Sequence, residues 1–153
     1  MVVHVTLGPS AKNAISSRVI ARRARAMLRA KGVSSGELSI VLTNDRQIQK
    51  LNKIYRKKDR PTDVLSFSMH EGEGGSFAGD LLGDVVIAIP TARRQSMEKG
   101  VTLLDEVTEL LAHGLLHLLG WDHDTPSKDR RMRRETRRLC GLAVAPERRK
   151  RAS

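Results

Sequence analysis

The chain has 153 residues, 39% of them hydrophobic, enough for one domain with a real core. Lys and Arg outnumber Asp and Glu 28 to 17, a net charge of +11 that points to a polyanionic partner, nucleic acid before membrane. A single cysteine, Cys140, excludes an internal disulfide framework, and no run approaches the ~20 apolar residues of a membrane span.

"VVHVTL" (2–7) reads as a strand closed by "GPS". Residues 11–31 read as an amphipathic helix, with Ile15, Val19, Ile20, Met27 and Leu28 on one side and Arg18, Arg22, Arg25 and Arg29 on another. "ELSIVLT" (37–43) alternates as a strand does. Asn44 or Asp45 can cap a second helix that runs to about Tyr55, with Ile48, Leu51 and Tyr55 inward. "RKKDRPTD" is a basic loop, and "DVLSFSM" (63–69) a third strand. The Gly-rich, acidic stretch 70–80 is expected to be mobile. "GDVVIAI" (83–89) is nearly continuous in apolar residues and so should lie centrally in a sheet. Pro90 opens a short helix, and 102–119 form an apolar one. Thr125 caps a basic final helix, near whose end Cys140 sits as a small buried residue, and 142–153 read as a basic flexible tail. The expectation is one α+β domain over 1–141: roughly four strands in a mixed sheet, about five helices, and a zinc-hydrolase-like metal helix. Aromatic residues are only 3%, so aliphatic side chains must build the core and base stacking on aromatic platforms is not expected. The N-terminus shows no basic segment followed by a long apolar one, so a cytoplasmic protein is expected.

Residues 61–92 and 100–127 contain no Lys or Arg but hold ten acidic residues, among them Asp63, Glu106, Glu109, Asp122 and Asp124. Either an acidic cleft floor sits inside a basic rim, or surface charge is simply sorted by helix.

"HGLLHLLGWDH" (113–123) carries the chemistry. His113 and His117, four apart on a helix, emerge on one face and can reach one ion at about 2.0–2.1 Å. Gly120 can stop the helix in a left-handed conformation and let His123 return to the same ion. Three neutral nitrogens leave one open tetrahedral position, the pattern of a catalytic zinc site. His4 reads as a strand residue, and His70 is at most a fourth contact. Glu106 and Glu109 precede His113 by seven and four residues; Glu106 is the candidate to hold an imidazole N–H, while Glu109 reads as a solvated helix start. Asp122 can brace the turn or a ligand, and Asp124 should be exposed. Metallopeptidases with this spacing carry a general-base Glu directly after the first His, where this chain has Gly114. Phosphodiester cleavage needs a Lewis acid, a cation and positioning more than a strong carboxylate base, and RNA brings its own 2′-OH.

Together with "LNKIYRKKDRPTDVLSF" and "LLGDVVIAI", this stretch resembles the YbeY family of bacterial rRNA-maturation endoribonucleases, over roughly residues 36–140. The resemblance implies one zinc ion on His113, His117 and His123, and a catalytic arginine at Arg56. It implies cleavage of single-stranded RNA, 16S rRNA 3′-end maturation, ribosome quality control, and association with the small ribosomal subunit and its assembly factors, away from membranes. Lys53, Lys57, Lys58 and Arg60 then become RNA phosphate contacts, although residue by residue they read as a solvated basic loop. Asp63 reads as structural. Trp121 stands where the family commonly has Tyr, Ser68 where Pro is common, and the final helix is more basic than in many relatives. Two other readings stay open: a ribosome-assembly factor with a structural metal, and a metallopeptidase with Glu106 in place of the missing base.

Overall fold

The computed structural model describes residues 1–69 and 81–152. The stretch 70–80, expected to be mobile, and His70 with it, lie outside the described residues. In chain order the elements are β1 (Val2–Leu7), α1 (Ser17–Ala30), β2 (Glu37–Thr43), α2 (Asp45–Arg56), β3 (Val64–Ser68), β4 (Leu81–Ala88), α3 (Ile89–Lys99), α4 (Leu103–Leu118) and α5 (Pro126–Ala152). The four strands form one mixed sheet in the order β1-β2-β4-β3, in which only the β3–β4 pair is antiparallel. β4 is central, as its apolar run requires of a strand covered on both faces. β3 is an edge strand.

Period-2 alternation sorts the sheet into two faces. Leu38, Ile40, Leu42, Val85 and Ile87 join the main core with Ile20, Met27, Leu111, Leu115 and Leu116 of α1 and α4. Leu65, Val86 and Ala88 point the other way and pack with Ile48 of α2, flanked by Leu51 and Phe67. The site's arginine helix and its histidine helix therefore lie on opposite faces of the sheet, and β3 is the edge between them.

Local chemistry sets the helix ends. α1 begins at Ser17, later than the expected residue 11, because extended Ser16 accepts the Val19 N–H on its hydroxyl. Asn44, not Asp45, caps α2 by accepting the Gln47 N–H at 2.8 Å; Asp45 instead accepts from Thr91 and Arg94. Thr102 caps α4 through the Asp105 N–H. Tyr55 departs from its expected inward place and is 61% exposed. Tyr55, seven residues after Ile48, lies on the same stripe, but burial along it ends at Asn52 and Tyr55 falls in the last turn of α2.

The stretch 142–152, read from sequence as a flexible tail, continues α5 in the structure. Ala143 is buried in the core. Glu147 clasps α1, accepting from Arg22 Nη2 at 2.7 Å and from Arg23 Nε and Nη2 at 3.2 and 2.7 Å. Arg23 is only 5% exposed and also donates to Thr108 Oγ1 of α4. A run of charges looked like solvated tail because its one acid serves a buried guanidinium more than a hundred residues away. Cys140 lies within this continued helix, and burial pushes its thiol up to about 11.

Hydrogen bonds from Arg23, then Arg22, outweigh burial and hold the Glu147 carboxyl below its usual value of 4.5. Its stabilisation is thus full above the ordinary carboxylate range and is lost as pH falls through the depressed value. We expect Glu147→Gln to lose about 2 kcal/mol at pH 7, because the buried Arg23 charge loses its counter-ion. The difference from wild type in urea denaturation should shrink toward pH 3; a constant difference would place the effect in packing.

Candidate metal centre and adjoining cleft

α4 ends in a Schellman turn. The Trp121 N–H donates to Leu116 C=O at 2.9 Å, and the N–H of Gly120, at φ 92°, to His117 C=O at 3.0 Å. A side chain at position 120 would be strained in this left-handed conformation. The turn is pinned from outside by Trp121, which has Lys31 Nζ 4.5 Å and Arg131 Cζ 4.7 Å from its ring centroid. Asp122 braces the next residue by accepting the His123 N–H at 2.8 Å.

This folding brings His113, His117 and His123 together, with one ring nitrogen of each lying within 4.8 Å of the others. His113 Nε2 and His117 Nε2 are 3.1 Å apart. Two nitrogens sharing a tetrahedral ion at about 2.0–2.1 Å would stand about 3.3 Å apart, so the donor set fits such an ion closely. Burial, then the neighbouring imidazoles, hold the His113 ring below its ordinary value against the pull of Asp63 and Glu109. Burial and His123 do the same to His117, with Arg56 adding to them and Asp122 opposing. Both rings are therefore kept in the neutral form that binds metal. Neutral nitrogen donors suit zinc and its neighbours over the hard cations.

Opposite the histidines stands Arg56. Its Nη2 donates to Ser66 C=O at 2.7 Å, and its Cζ lies 5.2 Å from the Phe67 ring centroid. The last turn of α2 therefore overhangs the β3 edge, and the guanidinium crosses it toward the histidine side. Arg56, Lys58, Thr62, Asp63, Ser66, His113, His117 and His123 line one cavity of about 540 Å³. Arg56 has no acidic partner among the described residues, and its bond to Ser66 occupies one of five guanidinium N–H groups.

The other expected site residues divide. Glu106 does not touch an imidazole: it is 1% exposed and takes two bonds from Lys99, at 2.8 and 3.1 Å. Two helical turns separate it from His113, and the nearer cation captures it. It lines a second cavity, of about 630 Å³, that also reaches His113 and Asp63. Asp63 accepts from its neighbour Val64 N–H and from Gln95. Lys53 stands 3.8 Å from Asp59, while Lys57, Lys58 and Arg60 are exposed. The buried Asn52 shapes their loop by donating to Arg60 C=O. Lys57, at φ 59°, turns the chain directly after Arg56.

Sequence reasoning missed Ser66. Its carbonyl holds Arg56, and its hydroxyl donates to Gly114 C=O at 2.9 Å, so one residue joins arginine, edge strand and metal helix. Strand alternation was the available signal, since it sets Ser66 opposite Leu65 and Phe67.

Residues 9–142 match the family model described as Endoribonuclease YbeY. The chain belongs to the YbeY family. It is 46% identical over 124 residues to the Endoribonuclease YbeY of Aquifex aeolicus, covering 81% of each chain. A longer Endoribonuclease YbeY from an Anaeromyxobacter species is also 46% identical over 125 residues, 82% of this chain and 64% of that protein. The solution structure of a Thermotoga maritima protein shares the fold, with a TM-score of 0.64 at 20% identity over 97% of this chain and 93% of that one.

Proposed function

We propose that this YbeY-family chain is a zinc-dependent endoribonuclease of single-stranded RNA. In this reading it acts in the cytoplasm in 16S rRNA 3′-end maturation and ribosome quality control, alongside the small ribosomal subunit and its assembly factors. The observation that carries the reading is the cavity shared by three clustered histidines and an arginine that has no acidic partner among the described residues. The +11 charge fits a nucleic-acid substrate, and among the described residues no helix is long and apolar enough to cross a membrane.

His113, His117 and His123 would hold the ion, which when bound supplies a Lewis acid to a phosphate oxygen. Arg56, catalytic in this reading, is held by Ser66 and Phe67 and directs its remaining N–H groups at the other phosphate oxygens, where charge grows in the transition state. Lys58 in the cavity wall and Lys53, Lys57 and Arg60 on the rim take the flanking phosphates, which fixes the strand's register without reading sequence. Asp122 keeps His123 in place.

The test is cleavage of a single-stranded RNA by purified protein, by chelator-treated protein and by His113→Ala. Wild type should cut, and the other two should fall by at least about a hundredfold. Equal cleavage by all three would sink the reading. The new ends identify the nucleophile: a 2′,3′-cyclic phosphate marks the 2′-OH and a 5′-phosphate marks water.

A further inference from the structure

The chain has one Trp, one Tyr and two Phe, too few for aromatic platforms to be expected. Yet two of these four rings meet beside Arg56. The Tyr55 ring lies 5.2 Å from the Phe67 ring, centroid to centroid, at 63°. Phe67 in turn carries the Arg56 guanidinium at 5.2 Å. Phe67 is half-buried and anchored in the small core under α2, whereas Tyr55 is largely in water. The same segment of chain carries the exposed Lys53, Lys57, Lys58 and Arg60. An exposed ring held edge-on by a half-buried one, in a segment that also carries an arginine and several exposed cations, has the two components that single-stranded nucleic acid requires: a π-face for a base and cations for the backbone.

We infer that Tyr55, supported by Phe67, is a stacking platform for the base of the nucleotide that adjoins the phosphate held by Arg56. This rests on the endoribonuclease reading and adds a source of strand selectivity to it. Every base has a π-face, so the platform accepts any of the four. A base inside a duplex already stacks on its neighbours and cannot swing out to Tyr55 without the cost of unpairing. Single-strand preference then follows from one exposed ring, with no base edge read.

The experiment measures anisotropy of a fluorescein-labelled single-stranded oligoribonucleotide, in a His113→Ala background so that binding is read without cleavage. Tyr55→Ala should bind about tenfold more weakly, and Tyr55→Phe within about twofold of the background protein. Met97, 77% exposed on α3, supplies the control for losing a surface apolar group, and Met97→Ala should change nothing. The same strand with abasic sites should bind the background protein weakly, and the Tyr55→Ala difference should disappear on it. A Tyr55→Ala protein that binds as tightly as its background, or a deficit that persists undiminished on the abasic strand, overturns the platform. In either case cleavage by the otherwise unaltered chain leaves the endoribonuclease reading standing. Failure of the unaltered chain both to bind and to cut single-stranded RNA brings down the two together.

Discussion

Gly114→Glu, which writes the peptidase motif back into the chain, should yield a protein that does not fold stably and hydrolyses no peptide. A Cβ at position 114 would stand 2.7 Å from Val85 Cγ1, 3.1 Å from Ser66 Oγ and 3.3 Å from Val85 Cγ2. Val85 is fully buried in the central strand and β-branched, so it has no alternative rotamer to offer cheaply. Even a methyl group must lift α4 from the sheet, and overpacking of this kind costs about 1–3 kcal/mol. The better helix propensity of alanine returns about 1 kcal/mol, so Gly114→Ala should lose up to about 2 kcal/mol net. Glutamate adds a further methylene and a carboxylate to the same overfilled contact, and the total should exceed about 5 kcal/mol, comparable to the whole stability of a small domain. Urea denaturation of the Ala variant and the soluble yield of the Glu variant check this. A Gly114→Glu protein as stable as wild type would show that α4 can move off β4 at little cost.

That geometry changes the meaning of the missing glutamate. From sequence, Gly114 reads as a general base left out of a metal site. In the structure it is a point of close approach between the histidine helix and the sheet, where an added Cβ would meet Val85 and Ser66. The tight packing leaves no room there for a side chain. It also explains why the Ser66 hydroxyl can reach the Gly114 carbonyl at all.

The parts of the molecule legible in the sequence were those written in local code. The spacing of His113, His117 and His123 with Gly120 between them encodes a helix, a stop and a return, and no distant residue is needed to read it. The apolar run of β4 announced its central place, and the alternation in 37–43 announced a strand. What was not legible depends on contacts between distant segments. Glu106 has the right offset from His113 to serve it, but Lys99 stands closer across the α3–α4 turn. Glu147 looks like one charge in a solvated run until Arg23 is found beside it. Tyr55 sits at a helical position that alone suggests burial, yet burial along that face ends at Asn52. In each case a local pattern was correct about spacing and silent about which neighbour arrives.

Arg56→Ala should reduce cleavage of single-stranded RNA by about a hundred- to a thousandfold in kcat, the usual loss on removing one preorganised donor to a developing anion. Fold and metal content should be unchanged. Arg56 is exposed, and the single bond to Ser66 C=O and the contact with Phe67 contribute no more than about 1 kcal/mol to stability. Arg56→Lys should recover only part of the loss. A lysine restores the charge, but its ammonium has no planar fork to bond Ser66 and the phosphate at once. The split between kcat and KM decides the role. A fall confined to kcat means that the guanidinium acts on charge that appears only in the transition state; a rise confined to KM would reduce Arg56 to one more phosphate contact beside Lys58. Measuring both at two salt concentrations separates these further, because a ground-state phosphate contact weakens steeply as salt rises, whereas a donor preorganised within the cleft loses little. Turnover of Arg56→Ala within about threefold of wild type at saturating RNA would remove the arginine from the chemistry and leave the histidine cluster to do it with some other cation.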